Sequence, residues 1–196
     1  MNTHRMNPKH QSILDAARGL FWKHGFRRVS VEEICREAGV SKMTFYRHFG
    51  NKIELAKEVY HREAVEGVEQ FRQIMSDEAT TTRQKMEAML RMKMEGTNEI
   101  SKEFLNDFYQ SPELGLSAYV EEISTQIWNE IVADFKTAQE KGWLRDDFKP
   151  EAFLLMSYKL LELITDERMQ QMYDSPQDLV MELSRLFTYG IVPYEK

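Results

Sequence analysis

A chain of 196 residues can bury a substantial core, either as one compact unit or as two small domains. Its single cysteine excludes an internal disulfide, and its five prolines and nine glycines are few enough to leave long stretches open to helix formation. We expect neither a secretory leader nor a bilayer-spanning apolar run, so we predict a cytoplasmic protein without membrane contacts.

Apolar residues recur at intervals of three and four along the sequence, which predicts an all-α protein. Turn and cap residues such as Gly25, Gly142 and the Ser175-Pro176 pair separate the helical segments. We predict about nine helices, at residues 8–24, 31–38, 42–48, 52–75, 81–98, 100–110, 115–141, 150–172 and 176–189. We divide them into an N-terminal three-helix domain over residues 1–50 and a C-terminal helical domain over residues 51–196.

The second and third predicted helices form a helix-turn-helix. A one-sided apolar stripe ends at Ala38, and Gly39 follows at the position where a left-handed helix cap is wanted. Ser41 is a fitting N-cap for the next helix, and Phe45 and Phe49 can pin that helix inward. The residues left on the outer face are polar, basic or exposed apolar: Lys42, Met43, Thr44, Tyr46, Arg47 and His48. Such a face is typical of a protein that reads double-stranded DNA.

Charge is distributed unevenly between the two ends of the chain. Residues 1–62 hold 12 Lys and Arg against 6 Asp and Glu, whereas residues 63–196 hold 14 against 26. A basic segment on an otherwise acidic protein indicates a surface that binds phosphates. The five histidines also lie in the basic segment, but their spacing is not that of metal ligands, so we predict no metal site.

About a quarter of the chain, from His10 to about Tyr60, carries a recognisable pattern. Its residues include Ile13, Leu14, Ala17, Leu20, Phe21, Gly25, Phe26, Ser30, Val31, Ile34, Ala38, Gly39, Val40, Ser41, Tyr46, His48, Phe49, Asn51 and Lys52. On these residues the chain resembles the N-terminal domain of the tetracycline-repressor (TetR) family of bacterial transcription regulators. Cys35 and Met43 depart from the family pattern. The second departure lies on the reading face and bears on the operator sequence.

The resemblance and the helix geometry together imply a set of DNA contacts. Lys42 and Thr44 face the floor of the major groove, with Met43 beside them. Phosphate contacts are expected from Ser30, Tyr46, His48 and Lys52, with Arg28 and Arg47 as further candidates. The resemblance also implies a homodimer that binds a near-palindromic operator. We expect a repressor, since blocking a promoter requires only DNA binding.

The C-terminal domain carries wide apolar stripes that have two interpretations. Such stripes are usually plain helical core, and for any single residue this is the favoured interpretation. The resemblance implies instead that some of them enclose a small, mostly apolar effector. The candidates are Phe71, Met86, Met89, Met94, Phe104, Phe108, Tyr109, Ile127, Trp128 and Ile131. A cationic effector attracted by Glu95, Glu99, Glu103 and Asp107 is an alternative, although such residues usually form a solvated helix face.

The last two predicted helices carry more apolar surface than packing onto one core requires. We therefore predict a dimer interface there, which is also where the resembled family dimerises. Its residues are Phe153, Ser157, Leu160, Leu161, Ile164, Leu179, Leu183, Leu186 and Phe187. Monomeric packing of these helices is the alternative.

Two other classes of protein compete with a ligand-responsive regulator. An enzyme would need converging catalytic groups, and the sequence shows no phosphate-binding glycine loop, nucleophile elbow or metal-ligand cluster. We therefore predict no catalytic residues and no cofactor. The second competitor is a DNA-binding protein of the same fold whose C-terminal domain binds a protein instead of a metabolite.

Overall fold

A computed structural model describes residues 7–191, apart from the side chains of Leu154 and Tyr158. The all-α prediction is confirmed. Within the described range no helix is both long enough and apolar enough to cross a membrane. The α-helices of this range are α1 Pro8–His24, α2 Val31–Glu37, α3 Lys42–His48, α4 Lys52–Ser76, α5 Thr82–Gly96, α6 Lys102–Tyr109, α7 Leu116–Glu140, α8 Pro150–Thr165, α9 Glu167–Gln170 and α10 Pro176–Gly190, with a 3-10 turn at Pro112–Leu114.

One predicted helix is divided in the structure. The apolar spacing over residues 150–172 predicts a single helix, but α8 ends at Thr165 and α9 begins at Glu167. The cause is Asp166, whose backbone is extended and whose carboxylate accepts from the amides of Arg168 and Met169 at 2.9 and 3.2 Å. A side chain that caps the next turn cannot also continue the previous helix.

Local capping explains where most of the helices begin. Pro8, Pro150 and Pro176 each lie in the first turn of a helix, where the missing amide costs no hydrogen bond. Thr81 caps α5 through a reciprocal exchange with Gln84, in which each side chain accepts from the other residue's backbone amide. These signals are local in sequence, which is why the predicted starts lie close to the observed ones.

The chain forms two compact units. The first contains residues 7–62 and 100–120, and the second contains residues 63–99 and 121–191. α6 therefore packs with the N-terminal helices, although it lies well along the chain. The functional division predicted at residue 50 stays a prediction, and the packing division follows different boundaries.

Aromatic rings form the centre of the first unit. The ring of Phe104 lies 4.2 Å from that of Trp22 and 4.4 Å from that of Phe108, measured between centroids. Phe108 also lies 6.2 Å from Phe21, and all four side chains are buried. Phe104 and Phe108 were predicted as candidate pocket residues, but here they are core because α6 packs against α1.

The second unit has its own apolar core, which we call the second-unit cluster. Its buried members are Val68, Phe71, Met75, Met86, Ile131, Phe135, Ala138, Leu144 and Ile191. Met89, Ile127 and Trp128 pack against the cluster and are partly buried. The rings of Phe71 and Phe135 stack at 5.7 Å, which joins α4 to α7 within this unit.

A fully buried lysine stands at the end of α4. Lys85 donates from Nζ to the backbone carbonyls of Ile74, Met75 and Asp77 and to the hydroxyl of Thr80. Its Nζ also lies 4.3 Å from the centre of the Trp143 ring. The carbonyls at the C-terminus of a helix lack helical partners and carry partial negative charge, so the ammonium satisfies them and ties α5 to the end of α4.

Candidate nucleic-acid interface

A tight turn sets the angle between α2 and α3. Gly39 has φ +65°, and its amide donates to the carbonyl of Arg36 at 3.3 Å, while the amide of Val40 donates to that of Cys35 at 2.9 Å. These two bonds form a Schellman motif, which needs a left-handed residue at Gly39.

Ser30 starts α2 through a capping box. Its hydroxyl accepts from the Glu33 amide at 3.2 Å, and Glu33 Oε2 accepts from the Ser30 amide at 2.8 Å. The hydroxyl of Ser30 also donates to the same carboxylate at 2.8 Å. These bonds fix the first turn of α2 beside the helix-turn-helix.

α3 is held from its inner side and presents its outer side to solvent. Phe45 and Phe49 are buried, and the Ser41 hydroxyl caps the helix by accepting from the Thr44 amide at 3.1 Å. Lys42 and Arg47 are exposed, Thr44 is half-buried, and the side chains of Met43 and Tyr46 are 74% and 57% exposed. An exposed methionine and tyrosine next to basic residues are unusual on a surface that contacts only water.

An ion pair joins the outer faces of α2 and α3. Lys42 Nζ bonds the carboxylate of Glu32, and both side chains stay more than half exposed. The hydrogen bond to Lys42 lowers the pKa of Glu32, and the same bond raises the pKa of Lys42. The residues of α2 were not predicted to reach DNA, and the sequence alone does not show that Glu32 lies beside Lys42.

Lys52 is partly withdrawn from the surface. Its Nζ donates to the carbonyls of Phe26 and Val29 at 2.7 and 2.6 Å and lies 4.2 Å from the centre of the Phe26 ring. Burial lowers the pKa of Lys52. The lysine therefore fastens the loop before α2 to the start of α4, and its predicted phosphate contact stays a prediction.

Two arginines before α2 have different surroundings. Arg27 donates to the buried Asp107 carboxylate from its backbone amide at 2.8 Å and from Nε at 3.1 Å, and it also pairs with Glu113. Arg28 is largely exposed and lies 3.7 Å from Glu103. Asp107 and Glu103, offered above as attractors for a cationic effector, are thus engaged by arginines of the same unit.

His48 lies on the last turn of α3 and is half-buried. Its ring meets that of His10 edge-on at 5.5 Å, while His10 stacks on Phe49 at 4.7 Å and lies 2.5 Å from Glu58. The histidine thus extends from a packed aromatic group at the base of α3 towards solvent.

Comparison with known proteins assigns this arrangement to a family. Residues 13–59 match the description "Bacterial regulatory proteins, tetR family". The chain belongs to the TetR family. Residues 31–48 of this TetR-family chain are the family's DNA-binding helix-turn-helix.

Sequence relatives are matched over part of their length. The Transposon Tn10 TetC protein of Escherichia coli is 39% identical over 56 residues, covering 29% of this chain and 28% of that protein. The HTH-type transcriptional activator FasR of Mycolicibacterium smegmatis is 30% identical over 111 residues, covering 55% and 51%. The chain therefore spans about half or less of the length of these relatives.

Solved structures share the fold over nearly the whole chain. The regulatory protein TetR from Rhodobacter sphaeroides has a TM-score of 0.70 at 21% identity, covering 95% of this chain and 100% of that one. The fatty acid degradation regulator FadR from Bacillus halodurans has a TM-score of 0.67 at 23% identity, covering 95% and 97%. FadR from Bacillus subtilis, solved in complex with stearoyl-CoA, has a TM-score of 0.65 at 19% identity, covering 93% and 99%.

The predicted effector-pocket residues are not gathered in one place. Phe71, Met86 and Ile131 are buried in the second-unit cluster, whereas Phe104 and Phe108 belong to the core of the first unit. Tyr109 lies near them with its ring 6.3 Å from Phe104, and Met94 is 48% exposed on α5. The ten residues as a set therefore do not describe one pocket within either unit.

A cleft of 290 Å³ lies at the start of α8 and the end of α10 in the second unit. Its lining is Arg145, Phe148, Lys149, Ala152, Phe153, Met156, Leu186, Phe187, Gly190 and Ile191. None of the ten predicted pocket residues contributes to it.

The predicted dimer residues divide into inward and outward groups. Ile164, Leu179 and Leu183 are buried within the chain, the last two because α10 packs along α5, so their assignment to an outer surface needs correction. Phe153, Ser157, Leu160, Leu161 and Phe187 are half-buried, and Leu186 is 63% exposed. The apolar side chains that do face outward on these two helices are Leu155, Met156, Leu163, Leu186 and Tyr189, which we call the outer apolar face.

Proposed function

We propose that this TetR-family protein is a homodimeric repressor that binds a near-palindromic operator through α3 and leaves it when a small, mostly apolar effector binds the second unit. The outer face of α3 supports the DNA-binding part most directly. A capped turn fixes that helix, buried phenylalanines hold its inner side, and Lys42, Met43, Thr44, Tyr46 and Arg47 lie outward. Half-sites about 34–36 Å apart would match the two α3 helices of a dimer.

Enrichment from a random pool of duplex DNA tests operator binding without knowledge of the genome. We expect one near-palindromic motif, with log affinity falling linearly as log salt rises. Thr44→Ala should alter preference at particular bases by about 1–3 kcal/mol, whereas Arg47→Ala should weaken all sequences alike and reduce the salt slope by about 0.9. Enrichment of no motif by the unmodified protein would contradict the proposal. A reporter with the enriched site in its promoter then distinguishes repression from activation.

The outer apolar face of α8 and α10 supports the dimer. Leu155 and Leu186 are 69% and 63% exposed, and a two-fold pairing of two such helices closes a four-helix bundle. Leu186→Glu should dissociate the dimer in analytical ultracentrifugation, because pairing would then bury an uncompensated carboxylate. Met172→Glu is the matched control, since it adds the same charge at an exposed side chain outside these helices. An unchanged dimer in the Leu186 variant would place the interface elsewhere.

The second-unit cluster supports an apolar effector. Its methionines, Met75 and Met86, together with the half-buried Met89, provide an adaptable lining around stacked aromatic rings. The fold neighbour FadR from Bacillus subtilis was solved with stearoyl-CoA, which shows that one protein of this fold binds a ligand with a long apolar tail. Mass spectrometry of small molecules that copurify with this chain would supply candidates.

α4 is the proposed connection between effector and DNA. Residues 52–62 of this helix belong to the first unit and residues 63–76 to the second. Linkage requires that an inducer lower operator affinity by the same factor by which the operator lowers inducer affinity. Each candidate should therefore be titrated with and without operator, and again in Phe71→Ala. Equal affinity in both titrations would exclude that candidate as an inducer.

A further inference from the structure

An acidic and a basic side chain stand together at the N-terminal end of α3. Glu32 is the second residue of α2 and Lys42 the first of α3, and the turn at Gly39 brings them into an ion pair. Their side chains are 58% and 55% exposed, so the pair belongs to the surface and is not part of the core. The N-terminal residues of a recognition helix are those that contact base edges in a helix-turn-helix.

Base edges in the major groove differ in the order of their donors and acceptors. A G·C pair offers the two adjacent acceptors of guanine, N7 and O6, followed by the N4 amine of cytosine as a donor. An A·T pair places its donor between two acceptors, so a carboxylate that meets this donor faces an acceptor on either side. A lysine next to a carboxylate therefore matches the G·C edge better, with the ammonium on guanine and the carboxylate on cytosine.

We propose that Glu32 and Lys42 together read one G·C base pair in each half-site of the operator. Lys42 donates to guanine O6 and N7, and Glu32 accepts from cytosine N4 while it holds Lys42 in place. This inference rests on the proposed DNA-binding function and adds a specificity-determining residue on α2. Glu32 also repels phosphates, so it lowers affinity for sequences that lack the matching base pair.

The contribution of Glu32 distinguishes this reading from a simple phosphate contact by Lys42. If Lys42 only bound phosphate, removal of the Glu32 charge would strengthen binding to all sequences equally. If the pair reads a base pair, Glu32→Gln strengthens binding to unrelated DNA and at the same time reduces preference at one position of each half-site.

The test enriches motifs from random duplex DNA with the full-length protein and with Glu32→Gln, Lys42→Gln and the control Glu37→Gln. The control removes the same charge from an exposed position on the same helix. We expect preference for one G·C pair per half-site to fall about 10-fold in both the Glu32 and the Lys42 variants and to persist in the control. Thermal melting by circular dichroism verifies that each variant is folded.

Three results would overturn the inference. The first is a motif from Glu32→Gln with unchanged preference at every position. The second is loss of preference at different base pairs in the Glu32 and Lys42 variants, and the third is loss at an A·T pair. If the unmodified protein enriches no motif at all, the proposed function itself fails, and this outcome is distinct because it precedes any comparison of variants.

Discussion

The two units of the molecule are held together by different means. In the first unit, short helices are fixed by caps and by long-range polar contacts, such as Arg27 with Asp107 and Lys52 with two loop carbonyls. In the second, long helices pack apolar stripes, and one buried ammonium at Lys85 satisfies the end of α4. Recognition of DNA needs side chains held at fixed angles, whereas an apolar core of methionines and aromatics tolerates rearrangement.

Phe108→Ala would break this comparison most strongly. The side chain is fully buried among aromatic rings of the first unit, so its removal should cost about 3–5 kcal/mol in the free energy of unfolding. Hydrogen exchange measured by mass spectrometry should rise over residues 7–62 and 100–120. Phe135→Ala, the matched change in the second unit, should instead act on residues 63–99 and 121–191. Equal acceleration everywhere in both variants would show that the units do not open separately.

Lys85→Met tests the polar exception in the second unit. The variant keeps an apolar stem of similar length but leaves buried carbonyls at the end of α4 without a donor, which should cost about 1–3 kcal/mol in unfolding free energy. Lys141→Met is the control, because Lys141 also lies over the Trp143 ring but is exposed. Urea titrations of the two variants make the comparison. A loss in the control as large as that in Lys85→Met would assign the effect to the ring contact.

Tyr109 gives the smallest expected effect, and it depends on pH. Burial, with a further contribution from Tyr60, raises the pKa of Tyr109 well above its usual value near 10. A raised pKa in the folded state means that the phenol contributes full stability below about pH 10 and loses it as pH rises further. Unfolding free energies from pH 8 to 11 should fall less steeply in Tyr109→Phe than in the exposed-site control Tyr46→Phe. Parallel curves would contradict this assignment.

The sequence predicted features that depend on near neighbours. Ser41 as a cap, Gly39 in the turn, and Phe45 and Phe49 on the inner side all follow from spacing within a few residues, and the structure confirms them. The division at Asp166 escaped prediction because the apolar spacing continues across it.

Long-range pairing was beyond the reach of a pattern. Asp107 meets Arg27 across eighty positions, and this contact places α6 in the first unit. Likewise, spacing puts Leu179, Leu183 and Leu186 on related turns of one helix, yet the first two are buried and the third is exposed. Which side of a helix faces a neighbour depends on packing angles that one sequence does not reveal.

The interrupted first unit has a consequence for synthesis on the ribosome. Residues up to 62 emerge first, but the rings of Phe104 and Phe108 that complete their core are made only after the intervening stretch. At about 5–20 residues per second, the nascent helix-turn-helix waits several seconds with Trp22 and Phe21 uncovered. We expect chaperone capture of ribosome-bound chains to decline once residue 120 has left the exit tunnel, and chains halted before α6 to remain captured.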